Sequence, residues 1–284
     1  MSDQSTTHTS KGWRTNDLSL VPIHEISHFQ LSCAPTRSEH THAHLYLHGP
    51  MIQSMNARVA VLLDQLRAQR QVSLLMIFQG MDASGKDGVI RTLFSTFDPL
   101  SMRMARFVNP TPQESAHDFL WRVHQVAPSP GELVLFNRSH YEEALVQRVR
   151  HGLKLQKFQR LQRHINHFEE LLADAGVCIV KCFLNISKKT QYERFKSRLE
   201  DPLRRWKLSP MDLEDRQRWD LFIQAYEDLM LATSKPSSPW FVVPADDKSQ
   251  RDLYIAQLLL DSLGGMDIPP PLPPPSIHAM HLEP

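Results

Sequence analysis

Val72-Ser-Leu-Leu-Met-Ile-Phe78 runs into Gln79-Gly80-Met-Asp-Ala-Ser-Gly85-Lys86, and Gly88-Val-Ile-Arg-Thr-Leu-Phe94 follows at once. The first stretch is a short continuous apolar run, the mark of a strand buried on both faces. The last places Val89, Ile90, Leu93 and Phe94 on one helical face. Between them, Gly80-x4-Gly85-Lys86 is spaced as a phosphate-cradling loop. Its glycines let the chain curl so that successive N–H groups face one concavity at a helix N-terminus, and Lys86 adds a point charge against phosphate oxygens. On this reading Gly80, Ala83, Ser84, Gly85, Lys86, Asp87 and Gly88 bind phosphate. This order of strand, turn and helix commits the chain to an α/β core handling phosphate groups.

The residue after the lysine, ordinarily a Ser or Thr that binds Mg²⁺, is Asp87, and Asp82 lies inside the loop. Like charges about 4 Å apart repel by several kcal/mol at an intermediate dielectric, so a carboxylate beside an anionic ligand needs a cation between them. Asp82 is therefore read as facing a metal. Asp87 is equally readable as a first-turn residue countering the helix dipole.

With 284 residues, 41% of them hydrophobic and 22% charged, the chain has room for one α/β domain with appendages. Its longest apolar runs are far below the roughly 20 residues that cross a bilayer, and the Ser/Thr-rich N-terminus lacks a signal-peptide core, so neither a membrane nor secretion is expected. Cys33, Cys178 and Cys182 are too few and too oddly placed for a disulfide framework. They read as buried free thiols in a reducing, cytoplasmic setting. Residues 181–207 hold nine Lys or Arg against three acids, an excess suited to an anionic ligand longer than a mononucleotide, although a solvated basic helix face would look the same.

Along the chain, residues 1–49 show no sustained period and are expected to be a mostly irregular extension; its His40, His42, His44 and His48 lack partners at metal-ligand spacing. Residues 51–69 have helical spacing. Strands are expected at 102–107, 133–136, 177–184 and 240–243, with helices near 113–126, 141–150, 157–174, 189–200, 210–231 and 249–263. The alternation implies a parallel sheet with helices on both faces and ligands at the strands' carboxyl ends. Ser209-Pro-Met-Asp212 reads as a helix start, and Trp219, Phe222, Ile223, Tyr226 and Leu229 as a packing stripe. After Gly264-Gly265, the run Pro269–Pro275 is expected to form a polyproline II tail. The domain would span 50–263, with a lid at about 187–215 and a Pro-rich tail over 264–284.

At the second strand's end, Phe136 leads into Asn137-Arg-Ser-His-Tyr-Glu-Glu143. A phosphate-loop enzyme commonly binds its metal here through an acid, which makes Glu142 and Glu143 candidates. Ser139-x-x-Glu142 also fits a capping box. Arg138 is placed to fork two oxygens of one phosphate.

Gly80-Met-Asp-x-x-Gly-Lys-Asp-Gly88, Phe136-Asn-Arg-Ser-His-Tyr-Glu142 and Asp201-Pro-x-x-Arg-Trp-Lys207 with Asp215 and Trp219-Asp220 closely resemble the polyphosphate kinase 2 family, over about residues 50–263. The resemblance implies a thymidylate-kinase-like core with a helical lid, moving a phosphoryl group reversibly between inorganic polyphosphate and AMP, ADP or ATP with Mg²⁺ or Mn²⁺. Asp82, Lys86, Arg138 and Glu142 would then be catalytic, and Asp82, Glu142 and Glu143 would hold the metal. Asn137, Arg138, Arg198, Arg204 and Lys207 would bind phosphate or nucleotide. Asn-Arg-Ser-His-Tyr resembles the branch that phosphorylates both AMP and ADP, with guanine nucleotides left open, and Glu143 stands where that branch often has Asp. A homo-oligomer, dimer or tetramer, is expected, with no nucleic-acid partner. Two alternatives stay open: an ATP-dependent nucleoside-monophosphate or small-molecule kinase on the same core, and a non-catalytic P-loop binder of nucleotide or polyphosphate.

Overall fold

Five strands, β1 (Ser73–Gln79), β2 (Met102–Arg106), β3 (Leu133–Asn137), β4 (Val177–Asn185) and β5 (Trp240–Pro244), form one sheet in the order β2-β3-β1-β4-β5. The computed structural model describes residues 20–38, 45–266 and 268–270. Every strand pair is parallel, so every connection crosses over a face of the sheet. Helix α1 (Leu45–Gln69) precedes β1, the crossovers hold α2 (Lys86–Phe94), α3 (Pro112–Ser115), α4 (Trp121–His124), α5 (Tyr141–Val149), α6 (Leu155–Asp174), α7 (Lys188–Glu200), α8 (Pro210–Gln217) and α9 (Trp219–Thr233), and α10 (Lys248–Gly264) follows β5. The expected P-loop core, a parallel sheet flanked by helices, is what the chain forms.

Strands β1 and β3 are buried throughout, which is why they read as continuous apolar runs rather than alternating ones. One group of helices, α1, α2 and α10, packs together, as does another, α5, α6 and α9. The stripe on α9 is packing: Trp219, Phe222, Tyr226 and Leu229 are all buried. The strand order reverses beside β1, between β3 and β4. The turns after β1, β3, β4 and β5 therefore open into one crevice, the usual ligand position in such a sheet. No helix among the described residues is long and apolar enough to cross a membrane.

Several elements depart from the expected boundaries. The segment 20–38, part of the expected mostly irregular extension, buries Ile23 and Leu31 in the core and ties Leu31 N–H to Glu227 at 2.7 Å. Helix α1 begins at Leu45 and carries Pro50 within it. The helix expected over 113–126 is two single turns, α3 and α4, because the Asp118 carboxylate accepts from Leu120 N–H at 2.9 Å and starts a new turn. The helix expected over 210–231 breaks at Arg218, whose ψ of 21° leaves the helical range. Cys178 is half-buried and Cys182 buried, but Cys33 is exposed. Burial pushes the Cys178 thiol up to about 12, so it is inert at neutral pH. His40, His42, His44 and the tail from residue 271 lie outside the described residues. His48 pairs with Ser249 at 3.2 Å.

Lys181, counted from sequence in the basic excess, is fully buried in β4. Its ammonium donates to Glu169, to Tyr141 Oη at 3.0 Å and to Thr233 O at 2.8 Å. Glu169 Oε1 also accepts from Tyr141 Oη at 2.7 Å and lies 3.2 Å from His140 Nε2. Burial opposes ionisation of Glu169, but Lys181 and His140 outweigh it and hold the carboxyl well below its usual range. The network joins α6, β4, the start of α5 and the end of α9 beneath the β3–α5 turn.

Removing one partner of such a pair leaves a buried charge uncompensated, at a cost of about 3–5 kcal/mol. Glu169→Ala is expected to lose that much in denaturant unfolding, whereas Glu169→Leu with Lys181→Met should recover a large part. A double variant no more stable than the single one would show that the pair does not act as a unit.

Candidate active site

Between β1 and α2 the chain makes a tight loop over Gly80–Gly85 whose conformation needs its glycines. Gly80 has φ +146° and Gly85 +104°. A Cβ on Gly80 would lie 2.8 Å from Leu184 O, and one on Gly85 would lie 2.1 Å from Arg251 Nη1. Ala83 also takes a left-handed conformation, at φ 64°. Side chains of α7 hold the loop's carbonyls: Gln191 Nε2 donates to Asp82 O at 3.0 Å, and Arg194 Nη1 donates to Ala83 O at 2.8 Å and Ser84 O at 3.0 Å. The N–H groups of Ala83, Gly85 and Lys86 have no acceptor among the described residues. This is the arrangement that binds phosphate oxygens.

Lys86 donates from Nζ to Gly80 O at 2.7 Å, Met81 O at 3.3 Å and Ser84 Oγ at 3.3 Å. Burial, and then the neighbouring Arg138, lower its pKa to about 8 despite Asp82, Glu142 and Asp87. Asp87 sits in the first turn of α2 and accepts from Asn137 Nδ2 at 2.6 Å. Burial would raise the Asp87 pKa, but the Asn137 hydrogen bond and the cations Arg106, Lys86 and Lys207 bring it below the usual value. Asp87 thus both complements the helix N-terminus and fixes the β3 tip.

Arg138 follows β3 in a left-handed conformation, φ 61°, pinned by its N–H to Phe78 O at 3.0 Å. Its guanidinium joins Asp82 at 2.7 Å and Glu142 at 3.1 Å. Glu142, with Asp82, raises the Arg138 pKa beyond its already high value against the opposing effect of burial. The possible capping box is absent. Helix α5 has His140 at its N-cap with no side-chain cap, Ser139 Oγ accepts from Gln79 and Tyr141, and Glu142 is drawn to Arg138 instead. Glu143 turns away and accepts from Gln147 at 2.9 Å. The structure therefore brings Asp82, Lys86, Asp87, Asn137, Arg138 and Glu142 together and leaves Glu143 out.

The segment 187–215, expected to form a lid, carries the remaining expected cations. Arg198, Arg204 and Lys207 all border the cleft, with Arg204 paired to Asp201 at 3.0 Å and Lys207 over the Trp206 ring at 5.2 Å. Trp206 is 75% exposed. Ser209 and Asp212 form the expected capping box, and Asp215 ties α8 to Arg150 on the far side. Lys196 and Arg205 are spent on Glu200 and Leu199 O. The cleft measures about 1210 Å³ and also takes in Arg37, Arg91, Arg106, Arg194, Lys248 and Arg251, none singled out from sequence. Arg194 was visible only as one member of the basic run, and nothing local marked the others.

The family model described as Polyphosphate kinase 2 (PPK2) matches residues 51–270. The AMP/ADP-polyphosphate phosphotransferase of Meiothermus ruber is 45% identical over 219 residues, 77% of this chain and 82% of the relative. The ADP-polyphosphate phosphotransferase of Rhodopseudomonas palustris is 38% identical over 225 residues, 75% of this chain and 78% of the relative. The crystal structure of polyphosphate kinase 2 from Arthrobacter aurescens superimposes with a TM-score of 0.84 at 35% identity, covering 89% of this chain and 93% of that one. With the match extending over the P-loop, the β3 tip and residues 187–215, the chain belongs to the polyphosphate kinase 2 family.

Proposed function

We propose that this protein transfers a terminal phosphoryl group from inorganic polyphosphate to AMP and to ADP, reversibly, with Mg²⁺ or Mn²⁺. The observation that carries the reading is the convergence of Asp82, Lys86 and Arg138 at the head of a cationic cleft. Membership of a family whose relatives are named polyphosphate phosphotransferases favours this donor over ATP.

Phosphoryl transfer needs positioning and charge neutralisation more than covalent chemistry. The attacking atom is an oxygen of the acceptor phosphate, whose second pKa near 6 leaves it ionised at neutral pH, so no general base is required. Glu143 can therefore face away without loss of chemistry. The unpartnered loop N–H groups and Lys86 bind the phosphoryl oxygens, and Arg138 orients them through its planar fork. Arg198, Arg204 and Lys207 on the lid add charge from above and limit access of water.

The residues fit a hard dication: Asp82 and Glu142 offer oxygen donors. No group of three metal-ligating side chains lies together among the described residues, a pattern suited to an ion held by one or two carboxylates with substrate phosphates and water. Asp82, inside the loop, would hold it, with Glu142 nearby across Arg138. Such an ion neutralises charge on the phosphate oxygens.

Lys86→Ala and Asp82→Asn are each expected to lower kcat by about 10²–10³, the usual effect of losing one charge-stabilising contact, with unchanged thermal unfolding. Turnover near the wild-type level in either variant would contradict the assignment. The Lys86 cation is lost as pH rises through its depressed pKa, so kcat/KM should fall above pH about 8. Lys86→Arg should move that limb upward, whatever its residual rate. A profile flat to pH 9.5 would remove Lys86 from the charge-bearing role.

For the acceptor, purified protein with excess polyphosphate and Mg²⁺ is expected to convert AMP first to ADP and then to ATP, with GMP and GDP as parallel arms. A time course that stops at ADP, in protein free of adenylate kinase, would rule out the dual acceptor. Activity with ATP as donor and none with polyphosphate would favour the nucleoside-monophosphate kinase alternative.

A further inference from the structure

Gln191 and Arg216 stand outside the cleft, one and two steps behind the loop residue that heads it. Gln191 lies on α7, 1% exposed, with both ends of its amide engaged. Nε2 donates to Asp82 O at 3.0 Å, and Oε1 accepts from Arg216 Nη1 at 2.8 Å. The partners decide which end faces which. A guanidinium only donates and a peptide carbonyl only accepts, so the amide must turn its oxygen to Arg216 and its nitrogen to the loop.

Arg216 is held in turn. Its Nη1 also donates to Lys188 O at 2.8 Å in the first turn of α7, and its guanidinium lies over the Tyr192 ring, 5.8 Å from the centroid. The preceding residue, Asp215, is 4% exposed and accepts from Arg150 Nε at 2.9 Å, at the end of α5. Consecutive residues of a helix point about 100° apart. Asp215 and Arg216 therefore clamp α8 to α5 with one side chain and to α7 with the other. Helices α5 and α7 follow β3 and β4, the two neighbours of β1, so α8 bridges the elements on either side of the P-loop.

Holding the Asp82 carbonyl also sets the Ala83 N–H, because a trans peptide is planar and the two groups point opposite ways. That N–H is one of the loop groups without an acceptor among the described residues, and Ala83 is left-handed, at φ 64°. The Asp82 side chain is held separately, by Arg138 at 2.7 Å. Without Arg216, the buried Gln191 oxygen would lose this donor, and an unsatisfied buried acceptor is costly enough to pull the amide off the Asp82 carbonyl.

We propose that Arg216 is a positioning residue for phosphoryl transfer: it orients the Gln191 amide, which sets the Asp82–Ala83 peptide plane and so aims the Ala83 N–H at the transferring group. The inference rests on the reaction proposed above. It gives α8 a part in shaping the P-loop through two side chains that stay outside the cleft.

Steady-state kinetics with ADP and long-chain polyphosphate test it, together with hydrogen exchange at the Ser84 amide, read by NMR in the ligand-free protein. The Ser84 N–H donates to Met81 O at 3.0 Å, so its exchange reports opening of the loop. Arg216→Met should lower kcat about tenfold, with KM for both substrates within about twofold, as expected for losing alignment in the transition state. It should also speed Ser84 exchange by about tenfold while the β1 amides keep their protection. Arg216→Lys, which keeps a donor for the Gln191 oxygen, should restore most of both. Gln191→Glu separates positioning from bracing. Its carboxylate pairs more strongly with Arg216 but offers no donor to Asp82 O, so kcat should fall at least as far as in Arg216→Met. Arg216 is half-buried, and its variants carry the test should Gln191→Glu fold poorly. Normal turnover in Gln191→Glu would reduce Arg216 to an anchor of α8 and overturn the proposal. Additive losses in Arg216→Met with Gln191→Met would also overturn it, since residues acting in series lose no more together than the worse single variant.

The exchange readout separates the two levels of inference. Faster Ser84 exchange in Arg216→Met, in a protein whose wild type does not use polyphosphate, would keep the positioning chain and remove the proposed reaction. Wild-type turnover with kcat unchanged in Arg216→Met would remove the positioning chain and leave the reaction standing.

Discussion

The loop after β1 can present its N–H groups to a ligand only because something else holds its carbonyls. Gln191 and Arg194, one turn apart on α7, take the carbonyls of Asp82, Ala83 and Ser84. Arg194 reaches onward to the carbonyls of Ala245 and Asp246 after β5. Two loops, those after β1 and β5 on either side of β4, are thereby fixed to one helix. The left-handed conformation of Ala83 would otherwise be costly, and such conformations persist only where the surroundings over-determine them. The cradle is thus a property of α7 as much as of the glycine-rich sequence.

A second constraint acts from the opposite side. Arg138 is held left-handed at the tip of β3 with its guanidinium between Asp82 and Glu142, while Asn137 holds Asp87. Beneath this turn, His140 and Tyr141 plug into the buried Glu169–Lys181 pair, so the second and third residues after Arg138 are anchored in the core. The carboxylates at the cleft head each have a cation or amide partner, which lets negative side chains coexist with an anionic ligand. The chemistry asks for fixed charges, and the fold supplies them from four strand ends.

Much of this was legible in the sequence because it is local. The buried strand, the Gly80-x4-Gly85-Lys86 turn and the α2 face are contiguous, and β3 runs straight into Asn137 and Arg138. Readings failed where tertiary partners decide. Ser139 and Glu142 have capping-box spacing, but Arg138 and Gln79 compete for them. Lys181 carries the same letter as its surface neighbours and differs only in lying inside a strand. Arg251 and Arg37 sit some 165 residues after and 50 before the loop they approach, distances that only the parallel topology closes. The segment 20–38 lacks periodicity because it is bound by backbone carbonyls and single apolar anchors rather than by a regular face.

Amide hydrogen exchange over residues 80–86 of the ligand-free protein, compared between wild type and Arg194→Ala, tests the dependence of the cradle on α7 most directly. Local opening sets such rates. Loss of the brace should speed exchange in the loop by about tenfold or more, while β1 and β4 keep their protection. Equal loop exchange in the two proteins would contradict the account, because the cradle would then hold its shape without the carbonyl contacts that the structure assigns to it.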